Sequence, residues 1–145
     1  EAGLPRYGVD ASDANVVLEV VDEAEAVSYT KGCYAGQEII ARIHWRGHVA
    51  KRLAGVIFDR DAEPPADARL RDCAEGREAG RITSTVFSSR LRRRVALAVV
   101  KYDFLAPGTE LKVFAGDTEV CAAHVAELPL VRGSWYTRAE SEESE

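Results

Sequence analysis

The pattern of the sequence changes near Trp45, and this change limits the folds that are open to the chain. Between residues 49 and 131, short β-branched and aromatic runs alternate with turns that contain Gly or Pro, and no strong helix signal occurs. Regularly spaced short strands of this kind favour a small antiparallel barrel or sandwich. The predicted strands cover residues 52–58, 78–87, 95–104, 110–115 and 119–128.

The part of the chain before Trp45 has a different character. Residues 1–15 are rich in Gly, Pro, Asp and Ser, which predicts a structured loop. The apolar run at residues 16–21 and the segment 24–29 are compatible with strands or with short helices. From Gly36 to a predicted C-cap near Gly47, good helix formers predict a helix. Its supporting patterns are an apolar face of Ile39, Ile40 and Ile43 and an i,i+4 pair of Glu38 and Arg42.

The segment at residues 31–38, Lys-Gly-Cys-Tyr-Ala-Gly-Gln-Glu, places a cysteine between two glycines just before this helix. The unpaired amides at a helix N-terminus are partly positive, and Lys31 adds a full charge, so both favour the thiolate form of Cys33. A functional thiol is one interpretation. The other is a small apolar residue that fills a tight loop.

Four segments, in the same order, resemble the YgfZ branch of the folate-binding, glycine-cleavage T-protein-like superfamily. They are residues 31–38, residues 1–10 with the pattern E-x-G-x-P-x-x-G-x-D, residues 80–84, and residues 94–98 followed by Pro107-Gly108. The resemblance extends from Glu1 to about Val131. Because the chain starts with Glu1 and contains no methionine, we expect it to be the C-terminal half of a longer protein.

The resemblance implies an α+β fold in which the end of a folate-binding domain is followed by a small antiparallel β-barrel. The expected domains are residues 1–45 with the cysteine motif, residues 46–132 as the barrel, and residues 133–145 as an acidic tail. It also implies a tetrahydrofolate-binding accessory protein for iron–sulfur cluster maintenance and iron–sulfur-dependent tRNA modification, with folate and iron–sulfur proteins as partners. The alternative is an aminomethyltransferase of the glycine cleavage system. No independent catalysis is expected of this chain; any activity would be folate-dependent one-carbon transfer.

The resemblance further implies which residues form the site. Cys33 is the expected functional thiol, and Glu19 corresponds to a glutamate that hydrogen-bonds the pterin ring, whose adjacent N–H donors suit a carboxylate. The usual explanation of an acid in an apolar stretch is the solvent-facing side of a strand, and that interpretation stays open for Glu19. The remaining expected cofactor-binding residues are Lys31, Tyr34, Gln37 and Arg42.

Charge and composition exclude several other classes. The net charge of −5 predicts no direct nucleic-acid binding by the chain as a whole, so any RNA contact must be local. The longest apolar run, residues 95–100, is too short to cross a membrane, and no membrane partner is expected. Three cysteines without C-x-x-C spacing argue against a disulfide framework and favour a reducing compartment such as the cytoplasm.

Histidines and arginines give weaker signals. His44 and His48 have the spacing of two metal ligands on a helix, but Gly47 is predicted to break the helix between them, and no metal site is predicted. Two clusters of basic residues have two interpretations: each is either solvated surface or a contact for an anionic ligand. They are Arg90 with residues 92–94, and Arg46 with Lys51 and Arg52.

Overall fold

The computed structural model describes residues 1–133, in which short helices precede a closed antiparallel barrel. The helices are α1 (Val17–Val20), α2 (Glu23–Ala26) and α3 (Gln37–Arg46). The strands are β1 (Lys51–Phe58), β2 (Arg69–Asp72), β3 (Glu78–Ser88), β4 (Arg93–Lys101), β5 (Glu110–Ala115) and β6 (Thr118–Ala126). Of the predicted acidic tail, residues 134–145 lie outside the described part.

The barrel closes through the pairing of its first and last strands. The order around the barrel is β1-β4-β3-β2-β5-β6, and β1 returns to β6 with Gly55 opposite Ala126. Each strand therefore has two neighbours, and the sheet keeps no free edge. This confirms the predicted barrel and decides between the barrel and the sandwich that the strand pattern left open.

Strand β2 is absent from the predicted strands, and that prediction was wrong at this position. Its central residue, Leu70, is fully buried and lies opposite Gly80 of β3 and Val113 of β5. Three of its four residues are charged, so the local sequence lacks the apolar alternation of a strand. The predicted strand at 95–104 was also too long, because it ends at Lys101 and a 3₁₀ turn, Tyr102–Phe104, follows.

The core of the barrel is filled by every second residue of its strands, as expected when one face of a sheet is enclosed. Full burial of an apolar side chain of this size contributes about 1.5–3 kcal/mol. The largest fully buried side chains include Phe58, Leu70, Ile82, Leu111, Val56, Val100, Val113 and Val125.

The segments before the barrel, for which the sequence left helix and strand open, form helices. Within the apolar run at 16–21, Val17–Val20 form a short helix and not a strand, and Leu18, 5% exposed, is the buried residue of α1. Helix α3 has the predicted bounds, with Gly36 as N-cap at φ 85° and Gly47 as C-cap. Two details of its predicted surface were wrong. Ile39 is 58% exposed, and within residues 1–133 Glu38 forms no ion pair with Arg42.

Candidate functional site

The cysteine motif forms the loop between α2 and α3. At the start of the loop, the amide of Lys31 donates to Ser28 Oγ at 3.2 Å. The Lys31 ammonium lies 4.7 Å from the centre of the Tyr34 ring, a cation–π contact that orients both side chains. The Tyr34 hydroxyl oxygen is buried and has no hydrogen-bond partner among residues 1–133. A buried hydroxyl without a partner is costly, so this atom marks a place where a further polar group fits.

Cys33 is an exposed free thiol three positions before the N-cap of α3, as the sequence predicts. The other two thiols differ from it in place and access. Cys73 is exposed in the turn between β2 and β3, whereas Cys121 is 2% exposed inside the barrel. Burial, assisted by the charge of Asp59, raises the pKa of the Cys121 thiol. Reagents in solution can therefore reach Cys33 and Cys73, whereas the folded barrel encloses Cys121.

Glu19 lies on α1, where it is half-buried. The side-chain amide of Asn15 donates to Glu19 Oε2 at 2.8 Å, which fixes the direction of the carboxylate. The carboxylate thus combines an ordered position with the acceptor chemistry that the resemblance implies.

The expected site residues are only partly brought together. Lys31 and Tyr34 are in contact, Gln37 is the first residue of α3, and Arg42 lies exposed further along the same helix. Within residues 1–133, no hydrogen bond or ion pair joins Glu19 to the cysteine loop or to α3.

Glu23 organises a cluster that sequence reasoning missed. Its carboxylate accepts a hydrogen bond from the Tyr29 hydroxyl and pairs with Nδ1 of His44, and the rings of Tyr29 and His44 lie 4.2 Å apart. Burial and the neighbouring Glu23 carboxylate raise the pKa of Tyr29, which keeps the phenol protonated. The cluster links α2 to α3. No local sequence pattern predicts this cluster, because Glu23 and His44 are 21 positions apart.

The two histidines do not form a metal site. His44 is engaged by Glu23, and the ring of His48 stacks on Tyr102 at a centroid distance of 3.5 Å. In the described part of the chain, no group of three or more His, Cys, Asp or Glu side chains is arranged to hold a metal ion. Among those same residues, no helix has the length and apolar character needed to cross a membrane.

The N-terminal strap (residues 1–13) packs against the outside of the barrel. Asp10, 3% exposed, accepts hydrogen bonds from the hydroxyls of Thr83 at 2.6 Å and Ser84 at 2.7 Å. Glu1 accepts from Ser88 Oγ at 2.5 Å. Between the strap and strands β3 and β4 lies a cavity of about 340 Å³. The motif resemblance of residues 1–10 pointed to this segment, but not to its partners on β3.

The arginine cluster after β3 divides into two parts. Arg94 is half-buried and pairs with Glu63 at 3.1 Å and with Asp61 at 3.9 Å, so it is a structural residue of the barrel. Arg90, with Arg92 and Arg93, is exposed at the turn, as the solvated reading expects.

The barrel is similar to a domain of known proteins. Residues 51–132 match the glycine cleavage T-protein C-terminal barrel domain family. The chain also resembles the crystal structure of glycine cleavage system aminomethyltransferase T from Bartonella henselae, with a TM-score of 0.69 and 23% identity over 90% of this chain and 36% of that one. At this identity the likeness concerns the fold.

The chain is also similar in sequence to curated proteins that carry three different functional names. An aminomethyltransferase of Symbiobacterium thermophilum is 32% identical over 133 residues, which cover 91% of this chain and 34% of that protein. The tRNA-modifying protein YgfZ of Cronobacter sakazakii is 28% identical over 89% of this chain and 39% of that protein. The human iron–sulfur cluster assembly factor IBA57 is 59% identical over a short stretch, 22% of this chain and 9% of that protein. The chain spans 34% of the length of the Symbiobacterium relative and 39% of the length of the Cronobacter relative.

Proposed function

The chain belongs to the glycine cleavage T-protein C-terminal barrel family, and we propose that it serves in a cytoplasmic, tetrahydrofolate-binding accessory protein for iron–sulfur cluster maintenance. The observation that carries this proposal is the exposed thiol of Cys33 in a loop ordered by Lys31 and Tyr34. Relatives named for iron–sulfur cluster assembly and for tRNA modification support it. The iron–sulfur enzymes that modify tRNA are the proposed clients.

The chemistry of the described residues fits a folate. The carboxylate of Glu19 keeps one oxygen beyond its bond to Asn15, and the buried Tyr34 hydroxyl lacks a partner among residues 1–133. Both suit the adjacent N–H donors and ring nitrogens of a pterin. We propose that Glu19 and Tyr34 hold the ring, and that Lys31, Gln37 and Arg42 contribute further polar contacts. When bound, tetrahydrofolate would supply a carrier for a one-carbon unit.

The role proposed for Cys33 is that of an accessible thiol at the surface where a client protein meets the accessory protein. An exposed side chain contributes little buried area, so its loss costs little stability. The alternative, an aminomethyltransferase, places no demand on a reactive sulfur at this position. The two functions therefore differ in whether they depend on Cys33.

The test compares Cys33→Ser with Cys73→Ser in the full-length protein, because both thiols are exposed and only one lies in the motif. Each variant is expressed in cells that lack the protein, and the activity of an iron–sulfur enzyme is measured together with the melting temperature of the variant. We expect Cys33→Ser to lose the rescue without a lower melting temperature, and Cys73→Ser to retain it. Full rescue by Cys33→Ser would contradict the proposal, and aminomethyl transfer to a lipoyl carrier protein would establish the alternative.

A further inference from the structure

Exposed basic and aromatic side chains meet where α3 ends, β1 begins and β4 ends. We call them the junction surface, and its members are Trp45, Arg46, Lys51, Lys101 and Tyr102. All five are exposed; Trp45 is 75% exposed and Tyr102 is 47% exposed. Cations together with exposed aromatic rings are complementary to an anionic partner that carries planar groups.

Lys51 and Lys101 are direct partners in the pairing of β1 with β4. Directly opposite residues project from the same face of a sheet with their Cβ atoms about 4.5–5.5 Å apart, and like charges in that position repel. Within residues 1–133, neither ammonium group has a carboxylate at ion-pair distance. The pair is therefore unfavourable in the free protein, and an anion placed between the two lysines would relieve the repulsion.

One aromatic member, Tyr102, is held beside these two lysines. The imidazole of His48 stacks on Tyr102 at 3.5 Å and 20°, and this contact ties the end of α3 to the end of β4. Tyr102 directly follows Lys101, and its amide donates to the carbonyl of Ala50, next to Lys51. Trp45 directly precedes Arg46 at the last turn of α3. Each aromatic member is thus adjacent in sequence to a cation of the junction surface.

The acids around the junction surface are mostly engaged elsewhere. Asp22 lies 3.9 Å from Arg52, and Glu23 pairs with His44. Asp103 and Glu38 remain exposed nearby in the sequence. Among residues 1–133, no acid forms an ion pair with Arg46, Lys51 or Lys101, although the chain's net charge is −5.

We propose that the junction surface binds the backbone of a single-stranded nucleic acid. Lysine and arginine side chains neutralise successive phosphates, and exposed aromatic rings stack unpaired bases without a strong sequence preference. A single strand fits better than a duplex because only unpaired bases offer their faces to Trp45 and Tyr102. A strand with several phosphates also fits better than a single small anion, because the three cations lie on three different elements, α3, β1 and β4. This proposal goes beyond the accessory function and does not depend on Cys33 or on folate.

The test measures fluorescence anisotropy of a labelled oligo(U) of about 12 nucleotides, a length within the usual site size, titrated with the 145-residue chain. Binding is measured at several salt concentrations between about 50 and about 200 mM. Three phosphate contacts predict a slope of about −2 in a plot of log K against log salt. Lys51→Gln combined with Lys101→Gln is expected to reduce the slope by about 1.4. Trp45→Ala is expected to weaken binding by about 5- to 150-fold at an unchanged slope.

Two controls separate binding from folding. Lys112→Gln removes one positive charge from β5, a strand that pairs with neither β1 nor β4; Lys112 itself pairs with Glu119. This variant should leave affinity and slope unchanged. The double lysine variant should melt at a higher temperature than the parent, because it loses the repulsion between Lys51 and Lys101. Higher stability with weaker binding is an outcome that a merely structural role would not produce.

Three results would overturn the proposal. The first is no binding of oligo(U) by about 100 μM chain at low salt. The second is an unchanged salt slope in the double lysine variant. The third is displacement by a polyglutamate peptide as effective as displacement by unlabelled oligo(U), which would assign the surface to an acidic protein partner.

Discussion

Asp10 and Thr83 are separated by 73 positions in the chain and joined by a hydrogen bond of 2.6 Å. The same carboxylate accepts from Ser84 Oγ and from the amide of Arg6, so a buried charge on the N-terminal strap is surrounded by donors. Buried charges are tolerated when they are hydrogen-bonded in this way. The contact anchors the strap to β3.

The first prediction is a pH-dependent loss of stability in Asp10→Asn. Burial raises the pKa of Asp10, but hydrogen bonds from Ser84 and Thr83 outweigh this effect and lower the pKa below its ordinary value of 3.8. A lowered pKa in the folded state stabilises the fold above the ordinary value and ceases to do so as pH falls through the folded value. We expect Asp10→Asn to lose about 1.5–3 kcal/mol at neutral pH and less in strong acid, as measured by urea unfolding.

The matched control is Asp117→Asn, which changes an exposed aspartate in the turn between β5 and β6. It should leave the free energy of unfolding nearly unchanged at both pH values. A loss in Asp10→Asn that is equal at neutral and acidic pH would mean that shape, and not the charge of Asp10, anchors the strap.

The second prediction concerns β2. Leu70 is fully buried between β3 and β5, so Leu70→Ala should reduce the free energy of unfolding by about 2–5 kcal/mol. Val86→Ala, at a position 52% exposed on β3, is the control and should change it little. Chemical denaturation measures both. Similar small losses in the two variants would show that β2 is not a stable part of the barrel.

The strands that the sequence predicts and the one that it misses differ in where their stability originates. Strand β5, predicted with its observed bounds, contains alternating apolar residues that define its inner face. Strand β2 has one apolar residue, Leu70, and becomes a strand because β3 and β5 supply hydrogen-bond partners on both sides. The β-branched run at 16–21 contains helix α1 for the converse reason: among residues 1–133 no strand pairs with it, and the helix packs beside β1 with Leu18 buried.

The third prediction ranks the three thiols by access. Iodoacetamide at neutral pH should modify Cys33 and Cys73 in the folded chain and leave Cys121 unmodified until the barrel unfolds. If the motif activates its sulfur, Cys33 should react faster than Cys73. Mass spectrometry of timed samples gives the three rates. Equal rates for Cys33 and Cys73 would contradict activation by the helix N-terminus and Lys31, while early labelling of Cys121 would contradict the closed barrel.

The fourth prediction is weak folate binding by the 145-residue chain. Contacts at Glu19 supply one or two charge-assisted hydrogen bonds of about 1.5–3 kcal/mol each. Association costs about 4–15 kcal/mol in lost freedom, which is comparable or larger. Calorimetric titration with tetrahydrofolate should therefore show affinity weaker than micromolar, and Glu19→Gln should weaken it further. Micromolar affinity would mean that this chain holds a complete pocket.

The site was predictable only where its residues are close in sequence. The order glycine, cysteine, glycine and helix fixes Cys33 before α3, and the structure has this arrangement. The partners of Asp10, and the carboxylate that engages His44, lie far away along the chain. Such contacts depend on how the strap and helices pack on the barrel, and no local pattern encodes that packing.

Closure of the barrel by β1 and β6 sets an order of events during synthesis. The cysteine loop, α3 and β1 leave the ribosome before β6, which contains Ala126, the partner of Gly55. Until then β1 presents an open edge, and open edges recruit strands from other chains. A chain whose translation stalls before β6 therefore carries both the exposed thiol of Cys33 and the unpaired edge of β1. Synthesis of β6, and not the collapse of the earlier strands, is therefore the step that removes this open edge.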